Sequence, residues 1–202
     1  MRLAAVIAAL MLAPAATASA EDSSLFVYGD SFAIGTEPYL SGQLVGWQVE
    51  TDAAANRHTR SAPAVLRARG AELAPVVHLS LGTVDDPTHP GRFRRRVRRI
   101  MRVVGEDRCV VWANIARPSV RPDGTAYNGW RPLNAVLRDE ARRRQNLVVV
   151  RWAAFFRAHA ELISSWDGTH PIPEGYLARA TLVADGVRDC HDRLYPGALP
   201  PL

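Results

Sequence analysis

The sequence contains no lysine, so all 25 of its basic side chains are arginine. It has only two cysteines, which excludes a small scaffold held by several disulfides and a zinc site built from four thiolates. No repeat with a period of 20–50 residues is present, which excludes solenoids and propellers. With 48% hydrophobic and 22% charged residues over 202 positions, the chain is not disordered and is long enough for one domain with a substantial core. The formal net charge of +5 permits anionic partners without requiring them.

Long apolar runs are absent except near the N-terminus. Arg2 is followed by an apolar run over residues 3–13 and then by the sequence Ala-Ser-Ala, which ends at Ala20. This pattern is typical of a secretory signal peptide, and the run is too short to cross a bilayer. We therefore expect residues 1–20 to be a signal peptide cleaved after Ala20. Residues 21–202 are expected to form a single domain outside the cytoplasm, with no transmembrane segment.

The two cysteines, Cys109 and Cys190, are 81 positions apart. In an oxidising compartment such a pair is expected to form a disulfide. Closing a loop of this length stabilises a folded chain by about 4 kcal/mol in the chain-entropy model. Two free buried thiols are the alternative.

Short β-rich runs alternate with helical patterns along the chain. The predicted strands cover residues 25–29, 47–51, 75–81, 109–115 and 147–152, and the predicted helices cover residues 64–72, 92–104, 133–144 and 174–188. Runs this short and this apolar suit a sheet that is buried on both faces. The alternation predicts an α/β fold: a three-layer α/β/α sandwich around a five-stranded parallel sheet with right-handed crossovers.

Residues 92–102 are unusually basic and contain seven arginines: Arg92, Arg94, Arg95, Arg96, Arg98, Arg99 and Arg102. Phe93, Val97, Ile100, Met101 and Val104 fall on one face of the same predicted helix. The plain interpretation is a solvated outer face around a buried apolar seam. The alternative is a contact for an anionic envelope polymer or a nucleic acid. No aromatic side chains alternate with the arginines to stack bases, so we expect no nucleic-acid partner.

Two short motifs follow predicted strands and carry the side chains of a nucleophilic site. Gly29-Asp30-Ser31 comes directly after the first strand, and Ser31 would begin the next helix, where backbone N–H groups favour developing negative charge. Asp167 and His170 lie in the loop before the last helix, at a spacing that lets the carboxylate hold one ring nitrogen. A serine needs such a base, and the base needs an orienting acid. Each motif alone is equally typical of a capping aspartate or a surface histidine.

Together, the Gly-Asp-Ser block, the Asp-x-x-His block and the N-terminal leader resemble the SGNH (GDSL-type) hydrolase family, most closely its short secreted bacterial members. The resemblance runs from Phe26 to the region of Ala184. It implies a flavodoxin-like α/β/α topology and ester hydrolysis or acyl transfer, without a cofactor or a metal. It also implies that Ser31 is the nucleophile, His170 the base and Asp167 its orienting acid.

The sequence departs from the family pattern at positions that bear on the oxyanion hole. Val84 stands where the family has an asparagine after the third strand, and Asn56 aligns with a glycine after the second. In the family these two positions and the N–H of the serine, here Ser31, form the hole. The backbone N–H of Asn56 can still serve, because asparagine tolerates positive φ. Arg151 replaces a residue that is often acidic in related sequences. Losing one oxyanion donor typically lowers the rate about 10²- to 10³-fold, which predicts a weak enzyme more readily than an inactive one.

Two functions of different classes are compatible with these residues. The first is a secreted serine esterase or acyl-transfer enzyme that acts on a small-molecule or polymer-borne ester at an open site. The second is a catalytically degenerate relative that uses the same cleft to bind an envelope glycan or a protein. A flavodoxin-like phosphate-binding protein, with residues 29–31 as the phosphate cradle, is a third possibility, but it leaves Asp167 and His170 unexplained.

Overall fold

The computed structural model describes residues 23–117 and 130–196. The predicted signal peptide and its cleavage point after Ala20 lie outside these ranges. The strands are β1 (Ser24–Gly29), β2 (Gln48–Ala53), β3 (Val76–Ser80), β4 (Cys109–Ala113) and β5 (Leu147–Val150). The helices are α1 (Ser31–Gln43), α2 (Ala62–Arg69), α3 (Pro90–Val104), α4 (Trp130–Ala141), α5 (Trp152–Ala158) and α6 (Pro173–Leu194). Short 3-10 turns cover Thr59–Ser61, Gly70–Glu72 and Ala160–Leu162.

The five strands form one parallel sheet in the order β2-β1-β3-β4-β5. This is the flavodoxin-like order, and the predicted fold class is confirmed. Gly29, the last residue of β1, lies opposite Ala53 of β2 and Ser80 of β3. The chain runs outward from β1 in two directions, to β2 on one side and to β3 on the other. Ligands bind at such a switch point, beyond the carboxyl ends of the strands.

Helices cover both faces of the sheet and make two apolar cores. On one face α2, α3 and α4 pack against the sheet, and on the other α1, α5 and α6 do so. The central strands β3 and β4 are buried along their whole length. The sheet was expected to be buried on both faces, but the edge strand β2 is not, because Gln48 and Glu50 face solvent. One of its faces is covered by α1, which accounts for the alternation.

The fifth strand is shorter than predicted, and a helix that was not predicted follows it. The apolar run 147–152 ends as a strand at Val150, and α5 begins at Trp152. The side chain of Asn114, beyond β4, accepts a hydrogen bond of 2.6 Å from the N–H of Ala153. This tertiary contact satisfies one of the free donors at the start of α5, so Trp152 belongs to the helix and packs in the core.

The last helix, α6, ends at Leu194, six residues beyond the predicted end at 188. Gly186 lets it lie flat on the sheet, because a Cβ there would come within 2.8 Å of the Val150 side chain. The helix therefore reaches the edge where the strands begin. There a disulfide joins Cys190 to Cys109, the first residue of β4, with the Cα atoms 5.9 Å apart. The bridge lies at the opposite edge from Ser31. None of the helices in the described ranges is long and apolar enough to cross a membrane.

Candidate active site

Ser31 is the first residue of α1 and lies directly beyond the carboxyl end of β1. Asp30 caps this helix, and its Oδ1 accepts a hydrogen bond of 3.1 Å from the N–H of Phe32. The turn into the helix requires Gly29, because a Cβ at this position would lie 2.4 Å from the Cβ of Ala33. The strand therefore passes into the helix without an intervening loop, and the Ser31 hydroxyl is held at the switch point of the sheet.

The structure brings Ser31, His170 and Asp167 together from segments 139 residues apart. The Oγ of Ser31 lies 2.8 Å from Nε2 of His170, and Nδ1 of the same ring lies 2.5 Å from Oδ2 of Asp167. An ionised carboxylate only accepts hydrogen bonds, so Nδ1 carries the proton. Nε2 is then free to accept the hydroxyl proton of Ser31. This is the arrangement that makes a serine nucleophilic at neutral pH.

The loop that carries Asp167 and His170 is closed by its own hydrogen bonds. Gly168 adopts a φ of 60°, which allows the tight turn between the two side chains. Oδ1 of Asp167 accepts the N–H of Thr169 at 2.9 Å and the N–H of His170 at 3.0 Å. The carbonyl of His170 accepts the N–H of Ser164 at 2.8 Å. Both oxygens of the Asp167 carboxylate are thus occupied, which fixes the direction in which the imidazole points.

The charge of Asp167 is secured by the same contacts. Partial burial raises the pKa of this carboxyl. Hydrogen bonds from the His170 ring and from the N–H groups of His170 and Thr169 lower it by more, so the pKa lies below its ordinary value of 3.8. Asp167 is therefore ionised at neutral pH and can stabilise an imidazolium on His170. The ring of Phe32 packs beside the imidazole, with 5.2 Å between centroids. The His170 side chain is 38% exposed, so the site opens to solvent.

Asn56 adopts the left-handed backbone conformation that was expected of a residue in the glycine position. Its φ is 58°, and no other non-glycine residue in the described ranges has a positive φ. The N–H of Ala54 donates to the carbonyl of Gly29 at 3.1 Å. This contact keeps the turn after β2 beside the end of β1, two residues from Ser31.

Val84 lies in the loop after β3, and its apolar side chain offers no hydrogen-bond donor. The loop is held instead by the next residue, Asp85, which is buried. Its carboxylate accepts the N–H of Thr59 at 3.0 Å, the hydroxyl of Thr59 at 2.5 Å, and a guanidinium hydrogen bond from Arg96. Val84, His58 and Asp85 are among the residues that line a cavity of about 210 Å³ at this edge. Position 84 therefore offers no side-chain donor, in a loop that Asp85 holds in place.

A buried charged network that sequence reasoning missed lies beneath the nucleophile. The hydroxyl of Ser80 donates to Asp30 Oδ1 at 3.3 Å and accepts from Arg179 Nη2 at 2.8 Å. Burial raises the pKa of the Asp30 carboxyl, against the opposing effect of Arg179, the Phe32 N–H and neighbouring hydroxyls. Burial also lowers the pKa of Arg179 to about 10. The Ser80 hydroxyl thus links Asp30 to Arg179 beneath the start of α1.

Arg179 enters the core from α6, where its guanidinium packs near aromatic rings. Its carbon Cζ lies 5.3 Å from the ring centroid of Phe32 and 5.0 Å from that of Trp152, and Nε donates to Thr36 at 3.2 Å. One signal in the sequence points to this residue: it stands four positions before Val183, on the apolar face of the predicted helix. An arginine on such a face is a candidate for a buried ion pair.

Arg151 is exposed beside the first turn of α5, and nothing in the structure explains the arginine at this position. No group of three or more histidine, cysteine, aspartate or glutamate side chains in residues 23–117 and 130–196 is placed to hold a metal ion.

No family model and no curated protein matches this sequence. Many solved structures match its fold. The C-terminal catalytic domain of peptidoglycan O-acetyltransferase A from Streptococcus pneumoniae is 16% identical, with a TM-score of 0.65 over 85% of this chain and 94% of that one. A GDSL-like lipase from Bacteroides thetaiotaomicron is 12% identical, with a TM-score of 0.67 over 86% and 91%. A member of the lipolytic G-D-S-L family from Veillonella parvula is 13% identical, with a TM-score of 0.61 over 81% and 94%.

These identities are low, but the alignments cover at least 91% of each of these neighbours, and a further match is described as an SGNH hydrolase from Slackia heliotrinireducens. The chain has the three-layer α/β/α fold of the SGNH hydrolases.

Proposed function

We propose that this protein is a secreted serine enzyme that hydrolyses esters or transfers their acyl groups through Ser31, His170 and Asp167. The observation that carries the proposal is the continuous hydrogen-bonded chain from the Ser31 hydroxyl through the imidazole to the carboxylate, at 2.8 and 2.5 Å. A capping aspartate and a surface histidine, the alternative for these motifs, do not require contact between His170 and Ser31.

The reaction follows from these contacts. Oγ of Ser31 adds to the carbonyl carbon of the ester while its proton passes to Nε2 of His170. The carbonyl oxygen becomes an oxyanion. When this intermediate collapses, the bond to the alcohol oxygen breaks, and the proton on Nε2 passes to that oxygen. Water or a second alcohol then adds to the acyl-serine by the same route, which releases the product and returns the proton to Ser31.

The oxyanion is expected to be stabilised by backbone donors. Ser31 is in the first turn of α1, where N–H groups have no partner within the helix and the helix dipole favours negative charge. The left-handed turn at Asn56 makes its N–H the second candidate donor. The side chain of Val84 supplies no donor, so we expect slow turnover of activated esters rather than no turnover.

The substrate class proposed is a short acyl ester on a small alcohol or on a hydroxyl-bearing polymer. The partial exposure of His170 and Asp167, at 38% and 22% of their side chains, supports an open site rather than a deep acyl tunnel. Among the structural neighbours are an enzyme named as a peptidoglycan O-acetyltransferase and one named as a lipase, which is why both acyl transfer and hydrolysis are retained. The Cys109–Cys190 disulfide supports an oxidising compartment, in line with a leader removed after Ala20.

The test is labelling with a fluorophosphonate probe, which reacts with activated serines, together with turnover of a short-chain chromogenic ester. The wild type is expected to be labelled and to hydrolyse the ester, whereas Ser31→Ala should lose both. Ser23→Ala is the matched control, since this serine lies just before β1, at the opposite end of that strand from Ser31, and should behave as the wild type does. Absence of labelling and of turnover across a broad pH range would favour the non-catalytic binding module and overturn the proposal.

A further inference from the structure

Helix α3 has a stripe of arginines that no carboxylate neutralises. The helix contains seven arginines and no acidic residue over 15 positions. Three of its arginines form ion pairs with neighbouring elements: Arg94 with Asp139 at 3.0 Å, Arg98 with Glu140 at 2.9 Å, and Arg96 with Asp85. The other four are exposed and form no ion pair in the parts of the chain that the structure describes: Arg92, Arg95, Arg99 and Arg102. We call these four residues the arginine stripe.

The stripe is continuous and faces away from the core. Its members are spaced by three, four and three residues, which places them within an arc of about 80° on a helix of 3.6 residues per turn. They span about 15 Å along the axis at 1.5 Å per residue. The buried residues of α3 lie on the opposite side: Phe93, Val97, Ile100, Met101 and Val104. The paired arginines lie on either side of the stripe, so the four unpaired guanidinium groups form one contiguous band.

This arrangement weakens the helix when nothing is bound to it. Like charges three or four positions apart repel one another on a helix surface, by a few tenths of a kcal/mol per pair. Arg92 lies in the first turn, where the helix dipole disfavours a cation, and that turn has no acidic residue to compensate. A face that only needs solvation is served better by charges of mixed sign. A bound anion would offset this repulsion, so the stripe is suited to an anionic ligand.

The stripe is continuous with the edge of the sheet where Ser31 lies. A groove of about 590 Å³ is lined by the four stripe residues together with Arg96, Arg98 and Arg144. Arg92 and Arg96 also line the cavity of about 210 Å³ that contains Val84. On the other side, Arg99 and Arg102 share a groove of about 480 Å³ with Arg67 of α2. A polymeric ligand lying along the stripe would thus extend from the outer face of α3 to the loop that follows β3.

We propose that the arginine stripe binds a carboxylate-bearing polysaccharide and that the acyl esters cleaved or transferred at Ser31 are carried by that polymer. Four guanidinium groups spread over this length match a row of anions better than one small anion. Each guanidinium can hold a carboxylate through two parallel hydrogen bonds. The basic face has no aromatic side chain to stack nucleobases, and the disulfide favours an extracellular partner. The binding does not depend on the proposed function, but the identity of the substrate does.

The binding test uses polygalacturonate as the probe, with duplex DNA of equal charge concentration and neutral dextran as comparisons. The variant carries Arg95→Gln, Arg99→Gln and Arg102→Gln, and the control, with the same net charge, carries Arg157→Gln, Arg188→Gln and Arg193→Gln on α5 and α6. We expect the wild type and the control to bind polygalacturonate with an affinity that falls as salt rises, and the stripe variant to bind about tenfold more weakly. Equal affinity of the stripe variant and the control overturns the proposal, as does tighter binding of DNA than of polygalacturonate.

The activity test compares O-acetylated polygalacturonate with a small chromogenic ester. In the stripe variant KM for the polymer should rise about tenfold, with kcat and the kinetics of the small ester unchanged, because the substitutions lie away from Ser31. Ser31→Ala should still bind the polymer. If small esters are cleaved and the stripe variant handles the polymer as the wild type does, this inference is wrong and the proposed function stands. If polygalacturonate binds through the stripe but no ester is cleaved, the proposed function fails and polysaccharide binding stands.

Discussion

At position 84 a valine faces the edge of the sheet where an oxyanion donor is expected. Its loop is already anchored by Asp85, whose carboxylate binds Thr59 and Arg96. An asparagine introduced at position 84 would therefore enter a loop whose backbone is held in place. One additional donor to the oxyanion is typically worth about 10²- to 10³-fold in rate.

We expect Val84→Asn to raise kcat for a short chromogenic ester about 100-fold with little change in KM, because the new donor acts mainly on the transition state. Val84→Leu, which adds bulk but no donor, is the control and should show no increase. An unchanged kcat in a folded Val84→Asn protein would mean that position 84 does not face the oxyanion.

Asp30 and Arg179, both buried and linked through the Ser80 hydroxyl, allow a second prediction, in which the two single variants differ. Asp30→Asn leaves a guanidinium buried without a counter-charge, and arginine does not readily release its proton. We expect a loss of about 3–5 kcal/mol in the free energy of unfolding at pH 7. Arg179→Met removes the cation instead, and Asp30, whose pKa is already raised, can then take up a proton.

The pH dependence of Arg179→Met has a definite sign. Without the guanidinium, the pKa of Asp30 rises further above the ordinary 3.8. The folded variant then holds a proton that the unfolded chain releases, so its stability falls as pH increases above about 3.8. Urea unfolding of both single variants and of the double variant at pH 5 and pH 7 measures these effects. A smaller loss for Asp30→Asn than for Arg179→Met at pH 5 would contradict the prediction.

At the scale of elements, α3 has the largest excess of one charge, and its stability should respond to salt. The repulsion between stripe residues acts through solvent, and added salt screens it. In low salt, we expect the variant Arg95→Gln/Arg99→Gln/Arg102→Gln to melt a few degrees above the wild type, since removing roughly 1 kcal/mol of repulsion has this effect on a domain of this size.

Near 1 M salt the two melting temperatures should converge. Differential scanning calorimetry at both ionic strengths measures the effect, and the variant with Arg157→Gln, Arg188→Gln and Arg193→Gln is the matched control. Because Arg188 and Arg193 are paired with Asp185 and Asp189, that control should melt at or below the wild-type temperature. A stripe variant that melts below the wild type in low salt would show that the arginines stabilise α3.

The elements themselves could largely be predicted from the sequence, because their patterns are local. The buried seam of α3 follows from the spacing of Phe93, Val97 and Ile100, and the buried strand β4 follows from its apolar run. The start of α5 could not be predicted, because it depends on Asn114, which is 39 residues away from Ala153 in the sequence. An apolar run does not reveal where such a contact will end a strand.

The candidate site was predictable for a different reason. Parallel strands bring their carboxyl ends to one edge, so a motif directly after β1 and a loop between β5 and the last helix were expected to lie near the same edge, although α5 intervenes before Asp167. The support around the site was not predictable. Arg96 reaches Asp85 across 11 residues and Arg179 reaches Ser80 across 99, and both contacts depend on how helices pack against the sheet.

At the scale of the whole molecule, the disulfide connects the last helix to the sheet. Cys190 lies near the end of α6, which packs across β4 and β5 on one face of the sheet. The bridge joins residues that are 81 positions apart in the sequence. Both sulfur atoms are fully buried. The candidate site lies at the opposite edge, since Ser31 follows the carboxyl end of β1 and Cys109 begins β4. The bridge should therefore contribute to stability without contributing to catalysis.

We expect Cys109→Ala/Cys190→Ala to lower the free energy of unfolding by about 4 kcal/mol, because the unfolded chain regains the freedom that the closed loop removes. Below its melting temperature the variant should keep the wild-type kcat and KM on a small ester. Guanidinium unfolding measures the first effect and initial rates measure the second, with the wild type in reducing and non-reducing buffer as the control. A loss of kcat in variant protein that is still folded by circular dichroism would show that the bridge helps, through α6, to position His170, which lies just before the start of this helix.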